Sequence, residues 1–362
     1  MSDDRQMEGE ARSDAAHLLL AGARRRAVAL EDVFLPEPLR LGEWLRVTVR
    51  ALLGKYVRVV EAELRAALAA DALAAENEAL LASLSSANVQ IALPLLEASD
   101  ALRDPELIAV LVARAEEHRF LRAAAAPAER TLLAQLVADP DPSIAAQSMA
   151  LLVAQSRRFD RFQEPVLSRT ELPAELQHRL AWKIAAALRV YMVDRHGIAP
   201  AAADRALADA AARLLAGYDE GDTLEARCAR LARALRDADR LSDAMIGHSL
   251  DDGNLPLFTA MLAARTGLAD AAVRDIATVP AERGAALLLR AAGVGRDIAA
   301  SALIRLAAAG AATGPVRELE LEAQLDMFDA HDPAEAQQRL GLWRIDPAYR
   351  TSLTLLLARQ AA

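Results

Sequence analysis

Three kinds of residue in this sequence could carry chemistry: arginines set among apolar and aromatic side chains, carboxylates repeated along a helix, and isolated histidine, cysteine and glycine positions. Arg46, Arg50, Lys55, Arg58 and Arg65 stand within one long apolar stretch, mixed with Glu43, Glu61 and Glu63. Guanidinium groups on one face suit phosphate, an anionic lipid surface or an acidic partner. The plainer reading is the solvated side of an amphipathic helix, with exposed ion pairs of little energetic value. Arg157, Arg158 and Arg161, with Phe159 and Phe162, form a second group whose basic and aromatic mixture can stack on and neutralise nucleic acid. In a chain of net charge −9, helix-end charge beside two packed phenylalanines explains it more simply. Near the C-terminus Trp343 and Tyr349, with Leu342 and Ile345, gather apolar surface that docks on the body or on a partner. The candidate partner-binding residues are therefore Arg46, Arg50, Arg58, Arg157, Arg158, Arg161, Trp343 and Tyr349.

The remaining candidates point away from catalysis. Glu318, Glu322, Asp326 and Asp329 share one helical side, but carboxylates in series, without histidine or a converging second helix, are usually solvated. His17, His118, His178, His196, His248 and His331 are not at metal-ligand spacing from one another or from Cys228, the single cysteine. Gly293-Val294-Gly295 lacks both a preceding strand and the third glycine of a phosphate loop. Asp251-Asp252-Gly253-Asn254 lacks the spaced terminal glutamate of a calcium loop. No nucleophile elbow, Walker loop or zinc signature is present, so no catalytic residue, metal or cofactor is expected. A site assembled from distant helices leaves no local motif and stays open as an alternative.

The elements that must position these residues are helices. Hydrophobic residues make up 54% of the chain and aromatics only 4%. Alanine and leucine therefore dominate, and both lead the helix-propensity ranking. The fold class is all-α, and 362 residues imply two domains or an array of repeats. Residues 1–14 read as a disordered acidic tail, 15–155 as an N-terminal helical region, 156–309 as a second helical region, and 310–362 as a linker and helical tail. The apolar run near His17 is short and follows acidic residues, unlike a secretory signal. With no run long enough to span a bilayer and no disulfide framework, a cytoplasmic location is expected.

One frame recurs. Asn88 to Leu121 returns at Asn254 to Leu287, where Asn88, Leu96, Ala98, Leu102, Asp104, Ala115, Glu116 and Leu121 meet identical residues without a gap. Asp104-Pro105 places a helix cap before a proline that suits the first helical turn. Asn88, Asn254 and Asp270 read as further caps. Thr131 to Gln155 makes another pair of helices around Asp139-Pro140-Asp141-Pro142. These units resemble HEAT-like helical hairpins, which gives the expectation of an α-solenoid-like array, in one body or two lobes.

The order of segments, carried by NVQIALPLLEASDALRDPELIAVL, LPAELQHRLAWKIAAALRVYMVDRHGIAP and LDDGNLPLFTAMLAARTGLADAAVRDI with LLLRAAGVGRDIAASALIRL, resembles the bacterial family known as domain of unknown function 2336. The resemblance covers Leu30 to Ala308 and implies a helical protein, HEAT-like in its N-terminal part; it carries no activity, and the chain after Pro315 departs from it. The functional expectation is a non-enzymatic protein-binding or scaffolding module. Nucleic-acid or anionic-ligand binding through the local arginines is the alternative, disfavoured by the net charge of −9.

Overall fold

The computed structural model describes residues 41–70, 77–86, 88–124, 131–159, 165–166, 171–278, 283–309, 315–346, 348–350, 352–353 and 356. The expected tail 1–14, the start of the expected N-terminal helical region up to residue 40, the linker residues 310–314 and Arg161 lie outside them. By compactness the chain divides into Met1–Glu43 and Trp44–Ala362, and the described helices belong to the second unit, which the chain enters through a helix beginning at Glu43.

Every regular element among the described residues is helical. The chain runs through α1 (Glu43–Ala69), α2 (Glu78–Ser85), α3 (Ala92–Ala98), α4 (Pro105–Ala123), α5 (Leu132–Val137) and α6 (Pro142–Ser156). It continues through α7 (Ala174–His196), α8 (Pro200–Ala216), α9 (Leu224–Asp237), α10 (Asp243–Asp251) and α11 (Leu255–Thr266). The last described helices are α12 (Asp270–Thr278), α13 (Gly284–Ala291), α14 (Arg296–Ala309), α15 (Pro315–Asp329) and α16 (Pro333–Arg339).

Local sequence sets many of these boundaries. Asp104 accepts from the N–H groups of Glu106 and Leu107, and Asp141 from those of Ser143 and Ile144, each just before a proline. Asp332 and Glu335 form a reciprocal capping box at α16. Gly197 closes α7 in the left-handed region at φ 64°, which a residue without Cβ adopts at least cost.

Other helix ends are held from a distance. Glu61 accepts from the N–H groups of Ile91 and Ala92, both at 3.1 Å, so a carboxylate on α1 takes the place of a local cap on α3. Arg65, one turn further, donates to the carbonyls of Ser83 and Leu84 at the end of α2. Glu61 and Arg65 are thus buried and fix two helix ends, where the sequence suggested exposed charge. Asn88 does not cap, because α3 starts only after Ile91. Asp252 likewise receives the N–H of Leu132 at 2.6 Å, and Asp243 that of Gly295 at 2.7 Å, at the starts of α5 and α14.

The apolar side chains form two cores. One draws on α1 to α4, α7 and α8; the other on the end of α4, α5, α6 and α9 to α16. Each core takes helices from both sides of residue 155. Helix α4 belongs to both, giving Leu107, Leu111 and Ala115 to the first and Phe120 to the second.

The two copies of the recurring frame have diverged. The second helix is continuous in the first copy as α4, but divided in the second into α12 and α13. Pro280 stands in register with Arg114, and proline cannot continue a helix interior. Asn254 does cap, accepting from Leu257 N–H at 3.3 Å, whereas Asp270 lies inside the first turn of α12 and faces side chains.

Candidate functional site

Besides the buried Glu61–Arg65 pair, the described residues offer a larger buried cluster of charge and several exposed faces. The cluster grows from α4. Arg114 stands seven residues after Leu107, on the stripe that an apolar residue would continue, and is buried. Its Nη1 lies 2.8 Å from Glu117, its Nε 3.3 Å from Glu171, and its Nη2 against Glu225 on α9. Arg158, just past α6, reaches Glu117 at 2.9 Å and Glu171 at 3.4 Å. Arg274 on α12 bonds Asp270 at 2.6 Å and lies 3.5 Å from Glu225. Glu171 precedes Leu172 of the first core and Glu225 follows Leu224 of the second, so the cluster sits where the cores adjoin.

Electrostatics here oppose desolvation, and pairing wins at the centre. Burial raises the Glu117 carboxyl, but Arg114, Arg158 and Arg274 outweigh it and hold the group at about 2. Burial likewise disfavours the Arg114 cation, yet Glu117, Glu225 and Glu171 keep it well above its usual range. At the edge the balance reverses: burial pushes Asp270 up, and Arg274 offsets this only partly. The neighbouring Cys228 thiol is buried and free, and burial, reinforced by Asp270, Glu225 and Glu117, raises it well above the ordinary thiol range.

A cavity of about 40 Å³ adjoins the cluster, lined by Arg114, Glu117, His118, Arg158, Phe159 and Asn254 among others. That volume suits a water, while small-molecule sites run to several hundred Å³. The Phe159 ring lies 5.3 Å from that of His118 and closes one side. With its central carboxylates held ionised by arginines, the arrangement is fitted to joining helices. Distant charges assembled in this way leave no spacing in the sequence; the one local signal was a charged residue, Arg114, on an apolar stripe.

The candidate residues fall in different places. Arg46, Arg50 and Arg58 are exposed on α1, with Trp44 at 44% and Val47 at 61% exposure beside them. Arg157 is exposed at the end of α6, but Arg158 turns inward to Glu117 and Glu171 and is mostly buried. Trp343 packs against the second core, whereas Leu342, Ile345 and Tyr349 remain exposed. Met149 and Leu152, expected from the sequence to pack inward with Ile144 and Leu151, lie instead with Ala146 and Val153 on the outer side of α6 as an exposed apolar stripe. The signal was present, since these residues recur at helical spacing opposite Ile144, Ser148 and Leu151, which are buried.

No described helix is long and apolar enough to cross a membrane. Neither the curated proteins nor the solved structures give a match to the chain. A family model does match, over residues 91–341, beginning later and ending later than the resemblance from Leu30 to Ala308. That span includes α3 to α16, hence both copies of the recurring frame and every member of the buried charge cluster, and leaves out α1 and α2. The chain therefore belongs to the family described as "Uncharacterised protein conserved in bacteria" (DUF2336).

Proposed function

We propose that this chain is a non-catalytic protein-binding or scaffolding module, whose helix pairs stack in the HEAT-like manner to present exposed helix faces. The observation that carries this reading is the outer stripe of α6: Met149, Leu152 and Val153 are 46%, 39% and 43% exposed. The inner side of α6 packs on α5 and α9, so its fold is satisfied without the stripe. Contiguous apolar side chains left in water are unfavourable and mark surfaces that a partner covers.

The test is capture on the full chain from a bacterial lysate, compared with the variant Met149→Glu/Val153→Glu. The reading expects proteins retained by the wild type and lost from the variant, with both melting at the same temperature. Identical retention by the two would remove the stripe from any binding role. Retention only of further copies of the chain would make it a self-association surface.

A further inference from the structure

We propose that the exposed face of α1 between Trp44 and Arg58 docks an acidic segment of a protein partner. The proposal rests on the protein-binding reading but uses a different helix from α6. Trp44, Val47 and Ala51 recur there at helical spacing, all exposed, and Arg46, Arg50 and Arg58 are exposed alongside them. None of these three arginines has an ion pair among the described residues. Arg189, Arg296 and Arg305 are exposed and paired, with Asp204, Asp329 and Asp251, whereas Arg157, Arg195, Arg205, Arg213 and Arg233 are exposed and unpaired among the described residues, like those of α1. What sets α1 apart is that three such arginines stand together beside Trp44 and Val47. In a chain of net charge −9, three guanidinium groups beside a single exposed carboxylate, Glu43, are a local excess that a carboxylate-bearing ligand would complete. Tryptophan and arginine are also among the residues enriched at the hot spots of protein interfaces.

The same observations choose among anionic ligands. A membrane or duplex presents an extended negative surface, which meets the charge of −9 carried by the whole chain as well as the arginines. A short segment samples only charges within a Debye length, roughly 8 Å at physiological salt. The main apolar face of α1, including Tyr56, Val57, Val60 and Leu64, is committed to the core. It is therefore not free to lie in acyl chains as an interfacial helix does. Trp44 and Val47 offer a contact sized for a few side chains of a partner helix.

The experiment selects a displayed library of short random peptides on the full chain, the reversal Arg46→Glu/Arg50→Glu/Arg58→Glu, the variant Trp44→Ala, and Met149→Glu/Val153→Glu. Circular dichroism confirms that each is folded. The wild type should enrich peptides rich in Asp and Glu with apolar residues at helical spacing. Their enrichment should fall about tenfold or more on the reversal, since each 1.4 kcal/mol is tenfold in affinity, and fall also on Trp44→Ala. Absence of an acidic class, or its equal enrichment on the reversal, would overturn the proposal. Phosphatidylserine vesicles or a DNA duplex that bind the wild type and not the reversal would overturn it in favour of those ligands. Peptides lost only with the α6 variant, with no acidic class, would uphold the α6 reading and overturn this one.

Discussion

Glu117 and Arg158 meet at 2.9 Å where the two cores of this protein adjoin, one from α4 and one from the turn after α6. The carboxylate also binds Arg114, so its removal leaves buried guanidinium groups with one partner fewer. Breaking a buried ion pair from one side costs about 3 to 5 kcal/mol. Glu117→Ala should lose stability on that scale in denaturant unfolding, whereas Arg46→Ala, exposed, should stay within about 0.5 kcal/mol of the wild type. Equal, small effects from both would show that the cluster does not hold the cores together.

The same group sets a pH dependence. In the unfolded chain Glu117 titrates near its usual 4.5, and in the folded chain at about 2. Its folded value is depressed, so its contribution is complete above the unfolded value and is lost as pH falls from there toward the folded one. Asp270 has the opposite sign, because a raised folded value makes its ionisation costly as pH rises past the ordinary carboxyl range. Unfolding free energy should therefore fall on acidification in this window, with a shallower slope in Glu117→Gln. An unchanged slope in that variant would contradict the assignment.

Much of the frame was legible in the sequence, and for a local reason. Asp104, Asp141 and Asp332 cap the helix that follows each of them, and Gly197 ends the one before it, through atoms only a few residues away. Glu61, Asp252 and Asp243 do the same work from distant helices, so no spacing announced them. Asn88 read as a cap from its place before a helical stretch, but Glu61 fills that role for α3. Arg158 read as surface charge because its partners Glu117 and Glu171 are brought to it only by the fold.

Two left-handed glycines should respond differently to the same change. Gly197, at φ 64°, has nothing within 4 Å of an added Cβ, so Gly197→Ala carries only the conformational cost of about 1 to 2 kcal/mol. At Gly253, φ 71°, the added Cβ would lie 2.7 Å from both the Leu121 Cα and the Phe120 carbonyl oxygen of α4. Backbone must then move, and Gly253→Ala should be clearly the more destabilising in thermal unfolding. Equal shifts would mean that the turn before α11 and the end of α4 do not approach this closely.

Cys228 is fully buried, and its thiol is pushed well above the ordinary range. A thiolate-selective reagent such as 5,5′-dithiobis(2-nitrobenzoic acid) needs an accessible, ionised sulfur. Labelling should be negligible in the native protein and complete after denaturation. Rapid native labelling would show that α9 opens to solvent far more readily than its packing implies.

The protein-binding reading is tested most directly by contact at the stripe itself. A photo-crosslinking amino acid at Val153, in the full chain and in bacterial cells, should give a discrete adduct with another protein. Met149→Glu should abolish that adduct, while the same probe at Ser143, exposed at the start of the same helix, should not form it. No adduct from Val153, or one unchanged by Met149→Glu, would contradict the account.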